Sequence, residues 1–173
     1  MKEKSGNDVF KGLAAGLIGG LAGTIVMTQF QNIVTEIGKS ASDETGKKQK
    51  EEEGDDATVK MAKAISENVL DRKLKKSEKE SAGNAVHYIF GTTVGAVYGI
   101  AAEAAPITSV GFGLPFGTAL FIGADEIAVP ALGLSEPPTD IPISKHAYGF
   151  ASHLVYGLTA DLVRRGVRKL LQS

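Results

Sequence analysis

The sequence predicts an all-α membrane protein in which four transmembrane helices form two similar helical hairpins, with an amphipathic surface helix in the first loop. Three observations lead there. Between Ala82 and Ala124 the only charged side chain is Glu103, so a helix through this stretch has no polar face to offer water, as a hydrocarbon solvent permits. Glycines recur there every fourth residue, at Gly83, Gly91, Gly95 and Gly99, with His87 on the remaining rung. A segment also repeats without gaps: Phe90-Gly91, Gly95, Val97-Tyr98-Gly99, Ala102-Glu103 aligns with Tyr148-Gly149, His153, Val155-Tyr156-Gly157, Ala160-Asp161.

Average composition conceals this pattern. The 173 residues are 23% charged with mean hydropathy near zero, yet most of the charges sit at the two ends and between Glu36 and Glu80. A net charge of −1 gives no reason to expect a nucleic-acid partner. Without cysteine there is no disulfide, thiolate metal site or cysteine nucleophile. No tryptophan is present, so any aromatic belt rests on Tyr and Phe.

Residues 1–35 comprise a short polar start and a first span from Gly12 to Thr35, flanked by Lys2, Lys4 and Lys11. The apolar run continues through Ile25, Val26 and Met27 to Gln29 and Gln31 with no cleavage pattern, so it reads as retained rather than as a signal peptide. Gly16, Gly20 and Gly23, with Gly12 and Gly19, let a second backbone approach closely where lipid provides no hydrophobic drive. Residues 36–80 form a charged loop. Its Lys47–Asp56 run has nothing to bury, whereas Ala57–Leu74 carries Met61, Ile65 and Val69 at helical spacing and reads as an amphipathic helix on the membrane or on the protein's own loops.

Residues 81–128 hold the second and third spans, with a turn at Pro106 and a kink expected at Pro115. Residues 129–145, with Pro130, Gly133, Pro137, Pro138 and Pro142, read as a loop. Residues 146–173 give the fourth and shortest span, His146 to about Val163, and a basic tail of Arg164, Arg165, Arg168 and Lys169. A weaker match of Gly19-Gly20, Gly23-Thr24 with Gly113-Leu114, Gly117-Thr118 extends the repeat to the first and third spans, giving two copies of the same orientation. Basic residues abutting the termini argue for cytoplasmic termini, against a first loop that is itself rich in Lys.

The candidate helix-packing residues are Gly16, Gly20, Gly23, Gly91, Gly95, Gly99, Gly149 and Gly157. The candidate functional polar residues fall on two sides of the membrane. His87, His146, Asp125 and Glu126 share one interface, as a metal or proton-relay set or simply as capped helix ends. Glu103 and Asp161 share the other, as ion pairs with Arg164 and Arg165, and Tyr98 and Tyr156 one turn inside are expected to bond to these acids. His153 falls near the bilayer centre, where an ionisable group is a functional candidate. The options there are a neutral hydrogen bond to Thr92, Thr93, Tyr98 or Ser152, proton or substrate handling, or ligation of a metal or tetrapyrrole along the strip left bare by Gly149 and Gly157. A metal at His87 and His146 is the other cofactor option; no cofactor is predicted as required. No HExxH, paired Glu-x-x-His, phosphate loop or Ser/His/Asp order is present.

The Gly-rich first span, His87-Tyr88 with Gly91 and Tyr98-Gly99, the Pro130-Ala131-Leu132-Gly133-Leu134 loop, and His146, His153 and Tyr156-Gly157 together resemble the YagU-like family of bacterial inner-membrane proteins of unknown function. The resemblance covers roughly residues 10–35 and 82–165, and the Glu36–Glu80 insert departs from it. It implies a multi-pass protein of the bacterial cytoplasmic (inner) membrane and assigns no residue a role. The function expected from the residues is therefore non-enzymatic: a structural or accessory subunit whose glycine faces pack against other membrane subunits or itself within the lipid bilayer. The alternatives are a minimal transporter or proton-conducting element using His153 with Glu103 and Asp161, and a subunit with a histidine-ligated metal or tetrapyrrole.

Overall fold

The computed structural model describes residues 6–41 and 55–172, and within them the chain is helical with no strand. Helix α1 spans Gly6–Ala41, α2 Ala57–Asn68, α3 Lys79–Ala104 and α5 Ile143–Leu170. Helix α4 starts at Leu114–Leu120, continues as a π-helix over Phe121–Ala128 and ends with the turn Val129–Ala131. Most of the Lys47–Asp56 run lies outside the described residues.

Among the described residues three helices are long and apolar enough to cross a membrane: Gly6–Ser40, Lys76–Ala104 and Leu114–Ala131. Four such spans were expected. The fourth is a helix of ample length, α5, but it is not apolar enough by composition, because it carries the polar interior of the bundle. Ser152, His153, Asp161, Arg164 and Arg168 are all buried on it, while Phe150, Leu158 and Leu162 face outward.

Local chemistry explains the ends. The Asp56 carboxylate caps α2 by accepting from the Val59 amide at 2.8 Å. The helix stops six residues before the expected Leu74: the Arg72 amide donates to the Ser66 carbonyl (3.1 Å), the Ser66 hydroxyl donates to the Arg72 carbonyl (2.7 Å), and Asp71 turns through a left-handed φ of 48°. The Lys75 amide donates to the Glu78 carboxylate (2.9 Å) and leads into α3, which ends at Ala104 where Ala105 extends before Pro106. Pro115 does not kink a span. It sits in the first turn of α4, where its missing N–H has no helical partner to lose, and the irregularity falls instead on the π-helix further along.

Helix α1 is central. It packs against α3 on one face and α5 on another, while α4 packs on α5 and α2 on the start of α3. The shared apolar core is small: Met27, Tyr156 and Ala160, with Phe116 and Leu120 against them. Close backbone approach makes most of the remaining contact. A Cβ added to Gly95 would meet the Gly16 carbonyl at 2.7 Å and the Gly20 amide at 2.8 Å, and one on Gly20 would lie 2.8 Å from the Gly95 Cα. Gly12, Gly16 and Gly20 thus interlock with Gly99, Gly95 and Gly91.

The second hairpin repeats this interlock. Gly113, Gly117 and Phe121 meet Gly157, His153 and Gly149 rung for rung, with a Cβ on Gly157 falling 2.8 Å from the Gly117 amide and one on Gly149 3.1 Å from the Phe121 ring. The contacts therefore equate Gly12 and Gly16 with Gly113 and Gly117. This moves the expected first-to-third correspondence, which began at Gly19, by seven residues or about two helical turns. Gly19 and Gly23 face α5 instead, against Ala160 and the Tyr156 ring.

Candidate functional site

Two polar clusters sit at opposite ends of the paired hairpins. In the first, Asp161 is fully buried and accepts from Arg164 at 2.7 Å and from Arg165 at 2.6 Å. Glu103, also buried, is held by Arg168 at 2.7 Å, and Arg168 reaches Asp8 of α1 at 2.7 Å. The Arg164 guanidinium lies over the Tyr98 ring, 5.5 Å from its centre, and that ring stacks on Phe116 at 4.0 Å. These arginines belong to what sequence reads as a basic tail. Arg164 and Arg168 are buried because α5 continues through them to Leu170 and helical spacing turns them inward together, while Arg165 stays exposed. Asp8 and Arg168 carried no sequence signal as a pair, being 160 residues apart.

Tyr156 bonds to no acid. Its ring fills the groove that Gly23 leaves on α1, and its hydroxyl donates to the Gly91 carbonyl of α3 at 2.6 Å, tying three helices together.

The second cluster lies on the histidine side. The His146 ring pairs with Glu126 at 2.6 Å through Nδ1 and lies 3.0 Å from the Pro138 carbonyl through Nε2. His153, 7% exposed, uses Nδ1 to donate to the carbonyl of Gly149 one turn back (2.9 Å), a partner not among those expected. The same nitrogen lies 3.6 Å from the Asp125 carboxylate. His87 is within electrostatic reach of His153 and of Asp56, and its buried Nε2 has no hydrogen-bond partner among the described residues. The π-helix makes this grouping possible. Asp125 and Glu126 are adjacent in sequence, a spacing that diverges on an α-helix, yet the wider turn lets each meet a histidine of α5.

His153 is therefore grouped with Asp125 and His87, not with Glu103 and Asp161, which are held by arginine at the other end. No three His, Asp or Glu side chains among the described residues converge to hold a metal. The strip beside His153 is not vacant for a flat macrocycle, since the Gly113 and Gly117 backbones occupy it at Gly157 and the Phe121 ring occupies it at Gly149. Asp125, Glu126, His146 and Gly149 line an open cavity of about 240 Å³, walled also by Phe121, Val129 and Ile141.

A family model for proteins of unknown function, DUF1440, matches residues 59–162. No curated protein and no solved structure matches the chain. The match agrees with a resemblance to an uncharacterised family. It takes in α2 and the second half of the charged insert, which had looked foreign to the resemblance, and it ends just past Asp161.

Proposed function

From a chain that belongs to the DUF1440 family, whose function is unknown, we infer a small multi-pass integral membrane protein without enzymatic activity, acting as a structural or accessory subunit. The observation that carries this reading is the inverted distribution of polarity. Leu17, Ile18, Leu21 and Ile25 of α1, Ile89 and Val97 of α3, and Ile122 and Ile127 of α4 are exposed, while Thr24, Glu103, Ser152, His153, Asp161 and Arg164 are buried. Water as the surrounding solvent would favour the reverse, and lipid favours this. Helix α5 joins the others as a fourth span on the same reasoning, its charges paired inside and its outer face apolar. The resemblance to YagU-like proteins supports a bacterial cytoplasmic membrane.

Glu103 and Asp161 are held by arginines, which argues for a supporting role over a catalytic one. Because Gly16, Gly20, Gly91, Gly95 and Gly99 are consumed within the chain, contact with other subunits or with a second copy falls to the remaining surface. Fractionation tests the reading: the protein should stay in the membrane pellet through alkaline carbonate washing and need detergent for release. Recovery in the aqueous phase without detergent would refute it.

A minimal proton-conducting element is the second reading, favoured by one observation, the burial of His153 beside Asp125. In proteoliposomes His153→Ala should abolish a measurable proton flux; no flux in the unmodified protein removes this reading.

A further inference from the structure

We propose that Asp125 and His153 form a proton-exchange site that draws on water in the cavity they adjoin. It deepens the proton-handling reading by replacing the acids first attached to His153. Five observations converge on it. Other acids in the bundle have close basic partners: Glu103 with Arg168, Asp161 with Arg164 and Arg165, Glu126 with His146. Among the described residues the basic group paired with Asp125 is His153, at 3.6 Å, beyond ordinary hydrogen-bond length. The Nδ1–H of His153 is fixed on the Gly149 carbonyl, which leaves Nε2 as the basic nitrogen of the neutral ring. Asp125 lines the open cavity, whereas His153 is buried in the bundle with the carboxylate on the Nδ1 side of its ring, so Asp125 supplies the counter-charge when Nε2 takes a proton. Finally, the equivalent rung of the first hairpin carries Thr24, whose hydroxyl is satisfied by the Gly20 carbonyl at 2.8 Å. The second hairpin has an ionisable pair where the first has a neutral, self-satisfied side chain.

The groups around the pair define its charge. From α3 comes His87, whose Nε2 has no hydrogen-bond partner among the described residues, with Asp56 beyond it; from α4 comes Glu126; on α5 itself, His146 is engaged by Glu126 and Lys145 lines the same cavity as Asp125. Helix α1 has no titratable side chain between Lys11 and Glu36. With neutral imidazole the pair carries one negative charge. A hydronium ion in the cavity gives up one proton to it and leaves water, and the pair becomes neutral overall.

The test reads occupancy rather than flux. Full-length protein with labelled histidine and aspartate side chains, in nanodiscs, is titrated by NMR between pH 5 and 9. The Asp125 carboxyl and His153 ring should change at a common midpoint, as for a shared proton. Asp125→Asn removes the carboxylate that stabilises an imidazolium, so the His153 midpoint should move to lower pH by about one unit, a tenfold change. Glu126→Gln, which removes a neighbouring charge but leaves the Asp125 carboxylate in place, should move the His153 midpoint by less than Asp125→Asn does. A His153 ring that keeps one charge state throughout, or that titrates identically in Asp125→Asn, overturns the proposal. A titrating pair in a protein without flux would sink the conduction reading alone.

Discussion

Replacing Gly95 with alanine puts one methyl group where two helix backbones already touch. Its Cβ would lie 2.7 Å from the Gly16 carbonyl oxygen and 2.8 Å from the Gly20 amide nitrogen, against an ordinary contact of at least 3.4 Å. Backbone atoms have no rotamer to escape into, and the Gly20 Cα is nearer still, so α1 and α3 must separate by about 1 Å at this rung, and the neighbouring rungs at Gly20/Gly91 and Gly16/Gly99 lose dispersion contact with it. Overpacking of this kind costs about 3 kcal/mol, and alanine returns about 1 kcal/mol of helix propensity. The expected net loss is about 2 kcal/mol, roughly thirtyfold in the folding equilibrium. Reversible unfolding in mixed micelles measures it, with Gly166→Ala as the comparison. A Cβ at Gly166 meets nothing within 4 Å, so that variant should be neutral or up to about 1 kcal/mol more stable. If the two variants shift stability alike, close backbone packing is not what holds α1 to α3.

Arg168→Gln removes the guanidinium that Glu103 meets across the α3–α5 interface and should cost about 3 kcal/mol in the same assay, with much of the loss recovered in the Glu103→Gln double variant. Tyr156→Phe removes the hydroxyl donated to Gly91 while keeping the ring in its groove, and should cost about 1 kcal/mol. Asp55 links α2 to α3 through Lys79 at 2.9 Å and Lys63 at 3.1 Å, and these partners hold its carboxyl below the ordinary 3.8. A folded-state pKa below the unfolded one gives a contribution fully present above the unfolded value and lost as pH falls through the folded one. Amide-exchange protection of α2, corrected for intrinsic rate, should hold from neutral pH to about 4 and weaken below it, and Asp55→Asn should flatten that change.

The apolar helices α1 and α3 were legible because glycine spacing and missing charge are local signals. Their observed limits, Gly6–Ala41 and Lys79–Ala104, extend beyond the apolar runs because polar flanks continue a helix once it is formed. The second-to-fourth repeat could also be read directly, since Gly91, Gly99 and Glu103 have identical or like counterparts in Gly149, Gly157 and Asp161. The first-to-third register could not. Gly12, Gly16, Gly19, Gly20 and Gly23 offer two overlapping four-residue ladders on one helix, and only the partner on each side tells them apart. The π-helix left no trace either, because Asp125 next to Glu126 looks like one exposed acidic turn until both find histidines on α5.

By itself the amino-acid order determined that the chain is helical, where its uncharged stretches run, and which small residues allow close approach, because these depend on neighbours within a turn or two. Tertiary structure alone decided how the polar residues were shared out. Glu103 and Asp8 went to Arg168, Glu126 to His146, and His153 to Asp125. The reason is that a charge excluded from water must be met by whatever lies across the helix interface. For Glu103 and Arg168 that partner is 65 residues away, beyond the reach of any local pattern.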